Sequence, residues 1–538
     1  MASEVCHIGV RMEGEEDEAV RHLSFRPDPS LRDILNGSSA RVRSGCAGNG
    51  ACGLCRVRID AGDGGEPTTA EYLHLGREAV AAGTRLACQI TPRGDMDVTV
   101  LQPARSSVWR TAGDEPYRSA YALSPRRVAN GGPSLVAAVD LGTTQISVAI
   151  ADGSSGRRLA ARSGPNPQGR VGADVIGRLD AAARSEVGAH WLRRLAIEAI
   201  GNGLSELSLE EGIALAEVGR VVVVGNSAML ELLTGGHPGA LLDPAAWAGP
   251  VECRLDDVPA LAEAWGIAPA ARVDLAQPLG GFVGSDLMAG VVACRLIENG
   301  ESALLIDFGT NSEIALWSGG TLWVTAAAGG PAFEATGVGC GLAAEPGALY
   351  RLSRAPDGRW AGEVLEKPPP RGICGSGLVD MLAILRACGE VDERGRIRRE
   401  PLTIAVGCAE FGISKADIDM LQRAKGAMAA GLEVLCRRAG IRPDEIGRVH
   451  VAGSFGEHLD PGSSGRIGLL PQFPEARIRL AGNTALRGAL DLVLSDEAQR
   501  ALARARERAT LINLSMAPEF EELFLEHLYI RPFPARTP

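Results

Sequence analysis

The chain lacks long apolar runs, basic clusters and a secretion signal. Of its 538 residues 45% are hydrophobic, but no segment has the roughly 20 uninterrupted apolar residues that a membrane helix needs. The N-terminus, MASEVCHIGV, does not have the basic and then apolar pattern of a signal peptide. The net charge is −11, and acids are interleaved with bases, which argues against nucleic acid as a partner. We therefore expect a cytoplasmic protein that binds neither membrane nor nucleic acid.

Two further absences narrow the class of protein. No GxxxxGK[ST] sequence occurs, and no GxGxxG lies between a strand and a helix, so Walker-type and Rossmann nucleotide sites lack support. Eight of the 12 cysteines are scattered without paired metal spacing, which is typical of reduced, buried thiols in a reducing compartment. No cysteine follows Cys436. Any iron–sulfur site must therefore use the cysteines near the front.

Four cysteines in the N-terminal part have the spacing of an iron–sulfur site. Cys46, Cys52 and Cys55 lie in CAGNGACGLC, and Cys88 follows in RLACQI. Three thiolates on a glycine-rich loop and a distant fourth predict a [2Fe–2S] cluster, which moves one electron at a time. The first gap is one residue longer than in plant-type ferredoxins, and in this it resembles the adrenodoxin-type proteins. Zinc or a thioredoxin-like pair is the alternative, because CGLC alone suits both.

The flanking residues predict a β-grasp ferredoxin domain over residues 1–102. PSLRDIL, with Ser30 as a helix N-cap, has apolar residues at helical spacing. RVRID after the cysteine loop alternates like a strand, and MDVTV is typical of the closing strand. Residues 103–133 combine Pro, Gly, Ser and Arg without an apolar period, and this composition predicts a linker.

A sequence pattern then occurs twice. VAAVDLGTTQISVAIAD contains Asp140, and ALLIDFGTNSEIALWSG contains Asp307. Each copy predicts a hairpin whose Gly turn offers N–H and hydroxyl groups to a phosphate, while the Asp can hold Mg²⁺ directly or through water. One such turn is usually only a turn. Two matched copies predict hairpins that grip the phosphates of a nucleotide from opposite sides.

A third element lies further along the chain. RVHVAGSFGEHL, which begins at Arg448, is a predicted strand that runs into a Gly-rich turn. A turn of this kind suits the close approach of backbone to a base or ribose.

Together, the aspartate hairpins and the AGSFG turn resemble the phosphate and adenosine elements of the superfamily that contains actin, the sugar and acetate kinases and the seventy-kilodalton heat-shock chaperones. That resemblance implies a two-lobed, ribonuclease H-like ATPase. The motifs VVGNSAMLELL, AAGGPAFEATGVGCG, ICGSGLVDML and LINLSMAPEFEELFLEHLYI occur in matching order, and with the ferredoxin domain they resemble the reductive activators of corrinoid-dependent enzymes. The expected fold class is therefore α+β and α/β multidomain.

The resemblance implies an ATP-hydrolysing iron–sulfur reductase. Such an activator returns an electron to the corrinoid protein of a methyltransferase system, whose cobalt is occasionally oxidised from Co(I) to inactive Co(II). A ferredoxin-type cluster near about −400 mV must then reduce a metal of lower potential. ATP can promote this transfer if closure of the two lobes changes how the activator binds its partner. A separate reductase or ferredoxin supplies the electron, and a homodimer is expected.

The resemblance also assigns roles by position. The cluster ligands are Cys46, Cys52, Cys55 and Cys88; the phosphate contacts are Gly142, Thr143 and Thr144 on one side and Gly309, Thr310 and Asn311 on the other; the nucleoside contacts are Gly453, Ser454 and Gly456; and Asp140 and Asp307 hold Mg²⁺ or its water ligands.

Four more positions have two interpretations. Asn226 and Asp286 follow strand-like runs and either face the cleft or cap a helix. Glu334 in GGPAFE and Asp380 in CGSGLVD either line the cleft at a helix N-terminus or lie in tight packing turns.

The domain map that follows has a first lobe over residues 134–278 and a second lobe over 279–538. Three alternative functions stay open. An ATP-driven activator of a radical dehydratase shares the two-lobed ATPase, but its cluster bridges two subunits. A ferredoxin-fused small-molecule kinase would need an Asp base beside its substrate. A non-enzymatic redox or ATP-gated module would bind nucleotide without turnover.

Overall fold

The computed structural model describes residues 5–533 except 14–19, 37, 39, 41, 43–49, 51, 52, 54, 102, 104–108, 112–116, 125–133, 173, 237, 310, 311, 328, 330 and 336, and only the backbone of residues 209, 246, 248, 331 and 454. The chain forms two compact units. Unit 1 comprises Met1–Val108 and Pro165–Leu192, and unit 2 comprises Trp109–Gly164 and Arg193–Pro538.

Unit 1 contains a five-stranded mixed sheet of order β2-β1-β5-β3-β4. Its elements are β1 (Cys6–Met12), β2 (Arg21–Phe25), α1 (Leu31–Asn36), β3 (Arg56–Ala61), α2 (Thr69–Ala81), β4 (Thr84–Leu86), β5 (Met96–Val100) and α3 (Val175–Arg184). The hairpin β1–β2 is antiparallel, and β1 pairs with β5 in parallel. Alternating apolar residues of the strands and α1 form the core, which includes Ile8, Val10, Leu31, Leu35, Val57, Leu86 and Val98. This is the β-grasp arrangement.

Local capping explains where two helices of unit 1 begin. The hydroxyl of Ser30 accepts a hydrogen bond from the backbone N–H of Asp33 at 3.3 Å, as expected for an N-cap. Thr68 and Glu71 form a capping box at the start of α2. Glu71 is also fully buried and pairs with the guanidinium of Arg85 at 2.7 Å. Burial opposes the charge of Glu71, but hydrogen bonds from Arg85 and the backbone outweigh it and lower the pKa of Glu71.

Unit 2 begins with a six-stranded sheet of order β11-β10-β7-β8-β9-β6. The elements of this first lobe are β6 (Arg110–Thr111), β7 (Leu135–Leu141), β8 (Gln145–Asp152), β9 (Arg158–Pro165), α4 (Glu186–Glu211), β10 (Val218–Gly225), α5 (Ser227–Thr234), α6 (Val258–Trp265) and β11 (Arg272–Leu275). Strands β7, β8 and β9 are consecutive neighbours in the sheet, β7 pairs antiparallel with β8, and β10 and β11 are added in parallel. The near-continuous apolar runs of β7 and β10 are buried because helices cover this sheet.

The second lobe repeats this topology. The elements of this remaining part of the chain are α7 (Ser285–Ala293), β12 (Ala303–Asp307), β13 (Ser312–Ser318), β14 (Thr321–Ala327), β15 (Ala348–Arg354), β16 (Trp360–Val364), β17 (Gly372–Ile373), α8 (Gly375–Ala387), β18 (Leu402–Val406), β19 (Ala409–Ile413), α9 (Lys415–Ala439), β20 (Arg448–Ala452), α10 (Pro461–Ile467), β21 (Ile478–Gly482), α11 (Thr484–Leu494), α12 (Asp496–Glu507), β22 (Ala509–Leu511) and α13 (Phe520–His527). The main sheet has the order β21-β20-β12-β13-β14-β22. Its strands β14-β13-β12-β20-β21 correspond in order to β9-β8-β7-β10-β11. The β12–β13, β12–β20 and β20–β21 pairs also match β7–β8, β7–β10 and β10–β11 in direction.

Two features differ from the domain limits expected from sequence. Within the expected linker, β6 forms an edge strand with β9, and the described residues 117–124 contribute the buried side chain of Tyr121. Helices α11 and α12 follow the second-lobe sheet in the chain, but their apolar faces share a core with Val136 of β7 and Ala149 of β8. Both segments therefore complete the first lobe, because its sheet needs apolar cover that its own stretch of chain does not supply. In the described part of the chain, no helix combines the length and apolar composition needed to cross a membrane.

Candidate cluster site and nucleotide cleft

Two of the four expected cluster ligands lie in the described part of unit 1. Cys55 is buried at the start of β3, and Cys88 is half-buried after β4. The backbone N–H of Ala87 donates to the carbonyl oxygen of Cys55 at 2.8 Å, so the chain segments that carry these two cysteines are adjacent. Cys46 and Cys52 lie outside the described residues.

The surroundings of Cys55 and Cys88 fit an iron–sulfur cluster. Gly53 has a φ of +64°, and a Cβ there would lie 2.8 Å from the Cβ of His74, so only glycine lets the loop approach α2 this closely. The side-chain amide of Gln89 donates to the sulfur of Cys88 at 3.5 Å. Hydrogen bonds to sulfur are one of the means by which proteins tune such clusters.

In unit 2 the two expected aspartates lie at equivalent positions of the repeated sheets. Asp140 lies near the end of β7, and Asp307 is the last residue of β12. Each strand is followed by a tight turn and an antiparallel partner. A Cβ on Gly142 would lie 2.6 Å from the carbonyl oxygen of Gln145, so the first turn requires glycine. Gly309 lies in the equivalent second turn, whereas Thr310 and Asn311 lie outside the described residues.

The structure brings four carboxyl groups close together at these strand ends. Burial first, and then Asp286, raises the pKa of Asp140 to about 7, and a hydrogen bond from Asn483 opposes the rise. Burial and Asp307 raise the pKa of Asp286 to about 7, while burial and Asp140 do the same for Asp307. Burial and the repulsion of Asp286 and Asp307 raise the pKa of Glu313 well above its ordinary value. The first and second lobes thus face each other through acidic side chains.

No neighbouring Arg or Lys among the described residues lowers the pKa of Asp140 or Asp307. Nor do three His, Cys, Asp or Glu side chains of the described ranges form a ready-made metal cage. This donor set fits Mg²⁺, which usually takes one or two carboxylates and completes its shell with waters and substrate phosphates.

Threonines of the first turn make two different contacts. The amide of Asn226 donates to the hydroxyl of Thr143 at 2.8 Å, and the Asn226 side-chain oxygen caps α5 by accepting from Met229 N–H at 3.0 Å. Asn226 therefore combines the helix-capping role with a contact to the Gly142–Thr144 turn. The hydroxyl of Thr144 donates to a carboxylate oxygen of Glu334 at 3.0 Å. This bond joins the first-lobe turn to GGPAFE in the second lobe.

The AGSFG turn lies directly beside Asp307. Gly453 has a φ of +82°, and a Cβ there would lie 2.5 Å from the carbonyl oxygen of Phe308 and 2.9 Å from Oδ1 of Asp307. Gly456 closes the turn, since its N–H donates to the carbonyl oxygen of Gly453 at 3.0 Å. Only the backbone of Ser454 is described. The turn is thus in contact with the second aspartate hairpin.

Three phenylalanines connect the second-lobe motifs to one another. The ring centroids of Phe308 and Phe455 are 4.7 Å apart, and those of Phe333 and Phe455 are 5.2 Å apart. Phe308 follows Asp307, Phe333 precedes Glu334, and Phe455 lies in the AGSFG turn. All three rings are nearly fully buried. Their packing sets the relative positions of three loops that are far apart in sequence.

One candidate lies away from the four carboxyl groups. Asp380 is buried in α8, and its carboxylate accepts a hydrogen bond from the backbone N–H of Leu352 at 3.0 Å. Burial raises the pKa of Asp380, although this bond and the nearby Arg351 oppose the rise. The contacts of Asp380 attach α8 to β15, which is a packing role.

Sequence reasoning missed Glu313 and Asn483. Glu313 follows the second turn, accepts from the N–H of Gly284 at 3.2 Å and hydrogen-bonds with Asp286. The available signal was a charged residue inside an otherwise apolar strand. Asn483 caps α11 and donates to a carboxylate oxygen of Asp140 at 2.9 Å. In sequence it is indistinguishable from an ordinary N-cap.

Family models match three consecutive stretches of the chain. Residues 16–93 match a 2Fe-2S iron-sulfur cluster binding domain, residues 135–299 match the RACo middle region, and residues 301–535 match the C-terminal domain of RACo, the ASKHA domain. The first match supports a [2Fe–2S] cluster and argues against zinc at the four front cysteines. Together the matches confirm the predicted fold class.

Individual proteins similar to this chain are named as activators or reductases of corrinoid proteins. The corrinoid activation enzyme RamQ of Eubacterium limosum is 29% identical over 417 residues, which are 72% of this chain and 69% of RamQ. The [Co(II) methylated amine-specific corrinoid protein] reductase of Methanosarcina barkeri is 25% identical over 258 residues, 44% of this chain and 47% of that protein. The solved structure of a reductive activator for corrinoid, iron-sulfur protein covers 98% of both chains with a TM-score of 0.64 and 24% identity, which shows a shared fold.

Proposed function

We propose that this chain, which belongs to the RACo family, is an ATP-dependent reductive activator that returns an electron to the Co(II) corrinoid of a partner protein. The order of its three family matches and the enzymatic activities named for its relatives support this assignment. The observation that carries it is the combination, in one chain, of a ferredoxin domain and two aspartate hairpins whose carboxyl groups come together.

The N-terminal domain supplies the electron. Cys46, Cys52, Cys55 and Cys88 would hold the [2Fe–2S] cluster, which, when bound, exchanges one electron at a time. Gly53 lets the loop lie close to α2, and the amide of Gln89 is placed to donate to a ligand sulfur. The partner's cobalt gains this electron and passes from Co(II) to Co(I), so each transfer oxidises the activator by one electron.

The two lobes of unit 2 would bind MgATP. Its phosphates would lie between the Gly142–Thr144 and Gly309–Asn311 turns, and Asp140 and Asp307 would hold Mg²⁺ or its waters. The base and ribose would lie beside Gly453, Ser454 and Gly456. A divalent cation offsets the repulsion among carboxyl groups that now raises their pKa values. The Mg²⁺ that accompanies the nucleotide would therefore supply the positive charge that this acidic site lacks.

ATP would also change the contact between Thr144 and Glu334. A hydroxyl has one proton to donate, and in this structure Thr144 donates it to the Glu334 carboxylate. A phosphate oxygen that accepts from Thr144 must replace that carboxylate, and like charge then moves Glu334 away. Binding of the triphosphate thereby breaks a bond between the lobes and makes other interlobe contacts, so nucleotide state changes lobe geometry.

The partners follow from the same proposal. The acceptor is a corrinoid protein of a methyltransferase system, and a reductase or ferredoxin replenishes the electron. We propose a homodimer as the working assembly, which light scattering of the purified protein would test.

Reconstitution tests the function directly. The anaerobically purified, dithionite-reduced protein is mixed with a Co(II) corrinoid protein encoded in the same genome, and Co(I) is followed by its optical spectrum with and without MgATP. Cys55→Ser and Asp307→Ala should each abolish ATP-dependent Co(I) formation. Cys388→Ser is the matched control, because Cys388 is an exposed cysteine outside both sites.

The alternatives give different results in the same experiment. If the cluster is reduced but no co-encoded corrinoid protein forms Co(I), the proposal fails. Phosphorylation of an added metabolite would instead identify a kinase, and nucleotide binding without hydrolysis or electron transfer would identify a non-enzymatic module.

A further inference from the structure

A short segment between the ferredoxin domain and β7 is fastened to two helices of unit 2. We name residues 117–124 the strap. Its first anchor is Asp491 in α11, whose Oδ1 accepts hydrogen bonds from the hydroxyls of Tyr117 at 2.6 Å and Ser119 at 2.7 Å. Asp491 is 2% exposed. A buried carboxylate with two short hydrogen bonds is a strong and specific attachment point.

The second anchor is the C-terminal end of α7. The hydroxyl of Tyr121 donates to the carbonyl oxygen of Val292 at 2.9 Å, and the guanidinium of Arg295 donates to the carbonyl oxygen of Ala120 at 2.7 Å. Arg295 also lies over the Tyr121 ring, 5.1 Å from its centroid. The ring itself is 5% exposed and belongs to the first-lobe core.

The end of the strap continues along the start of α12. Ser495 donates from its hydroxyl to the carbonyl oxygen of Ala122 at 2.7 Å, and the N–H of Asp496 donates to the hydroxyl of Ser124 at 2.7 Å. The strap is thus a built element with defined partners over its whole length.

Helices α7 and α11, which anchor the strap, both begin beside the four carboxyl groups. Asp286 lies in the first turn of α7, and Asn483, the N-cap of α11, donates to Asp140. Asn483 and Asp491 are separated by eight residues, or about 12 Å along the helix. Each helix therefore connects the acidic site at its N-terminal end to the strap near its other end.

The helix pair is packed too closely to absorb motion by itself. A Cβ on Gly488 of α11 would lie 2.0 Å from the carbonyl oxygen of Ala289 in α7. Helix α11 belongs to the first-lobe core, whereas α7 also packs against β12 and β13 of the second lobe through residues such as Leu287 and Val291. A change in lobe angle that displaces α7 must therefore carry α11 with it, and the strap is bonded to both helices.

We propose that Asp491 is a positioning residue. Through its bonds to Tyr117 and Ser119 it couples nucleotide binding at the acidic site to the position of the strap, which follows the ferredoxin domain in the chain. The inference rests on the proposed function, since it takes the acidic site as the MgATP site. Binding there shifts the two helices, and the strap, which follows the ferredoxin domain in the chain, moves with its anchors. The side-chain hydrogen bonds of the strap go to α7, α11 and the start of α12 and not to Asp140 or Asp307, so this role is separable from nucleotide binding.

Hydrogen exchange of the full-length protein tests the inference. Exchange of the backbone amides of residues 117–124 is measured with and without saturating MgAMPPNP, whose binding is measured separately by calorimetry. In the wild type we expect nucleotide to change strap exchange at least threefold. Asp491→Ala should abolish this response and reduce ATP-dependent Co(I) formation at least tenfold, while MgAMPPNP affinity stays within threefold.

Three further variants separate coupling from folding. Asp491→Asn keeps an Oδ1 that accepts both hydroxyl bonds and should retain most of the response. Tyr121→Phe keeps the buried ring, removes the hydroxyl and its bonds to Val292 and Glu298, and should lower the nucleotide response even if Asp491→Ala does not fold. Tyr72→Phe alters an exposed tyrosine of α2 and should change nothing.

The outcomes distinguish this inference from the proposed function. If MgAMPPNP does not bind, both fail. If it binds and strap exchange does not change, or if Asp491→Ala and Tyr121→Phe keep the full ATP response, only the role of the strap is refuted.

Discussion

Replacing Asp307 by asparagine should stabilise the nucleotide-free protein above pH 7. Burial and the neighbouring Asp140 raise the pKa of Asp307 from its ordinary 3.8 to about 7. The folded state therefore binds this proton more tightly than the unfolded state does. This tighter proton binding stabilises the folded state fully below about pH 4, and the stabilisation is lost progressively as the pH rises to about 7. Asparagine has no charge to form, so it avoids this loss.

The change in the pKa of Asp307 on folding sets the size of the expected stabilisation. A rise from 3.8 to about 7 corresponds to at most about 4 kcal/mol, at 1.36 kcal/mol per unit. The Asp307 side chain is half-buried rather than fully buried, so we expect about half of this, or about 2 kcal/mol. For a protein of this size that gain raises the unfolding temperature by about 2 °C.

Thermal unfolding in EDTA at pH 5, 6, 7 and 8 measures this gain. The advantage of Asp307→Asn should be smallest at pH 5, where about a third of it is present, and fully developed at pH 8. Added MgADP should stabilise the wild type more than the variant. Asp444→Asn is the control, because Arg442 lowers the pKa of Asp444 and its loss should bring no gain at pH 8. The reasoning is refuted if Asp307→Asn is less stable than the wild type at pH 8 without Mg²⁺.

Three further predictions concern single residues. Cys55→Ser should lose the visible absorption and most of the iron of the reconstituted protein, and full iron content would contradict the ligand assignment. Glu334→Gln should bind MgATP several-fold more tightly by calorimetry, because the carboxylate bonded to Thr144 no longer repels a phosphate; unchanged or weaker binding would count against that competition. Gly453→Ala should lose about 2 kcal/mol of stability and most nucleotide affinity, since its Cβ would lie 2.5 Å from the carbonyl oxygen of Phe308; wild-type stability would rule out the tight turn.

Sequence reasoning worked best where chemistry requires residues close together in the chain. The two aspartate hairpins are local motifs and form as predicted. The spacing of the front cysteines predicts the 2Fe-2S domain that a family model matches. It worked less well for residues whose partners are distant. Asn483 looks like a simple helix cap, and its bond to Asp140 joins positions 343 residues apart.

The expected linker and second lobe show the same limit. Residues 103–133 have linker composition, but Tyr121 is buried in the first-lobe core. Helix α11 follows the second-lobe sheet in sequence and nevertheless covers the first-lobe sheet. An amphipathic helix specifies that one face is buried, but not which sheet buries it.

The sequence by itself determined the ferredoxin domain, the repeated aspartate hairpins, the AGSFG turn and, through their order, the family. These features depend on local spacing and on turns that only glycine permits. Tertiary structure alone decided that Asp140, Asp286, Asp307 and Glu313 share one acidic site, and that α7 and α11 connect this site to the strap. The physical reason is that mutual repulsion, burial and packing between distant segments depend on where the chain returns in space, which no local pattern records.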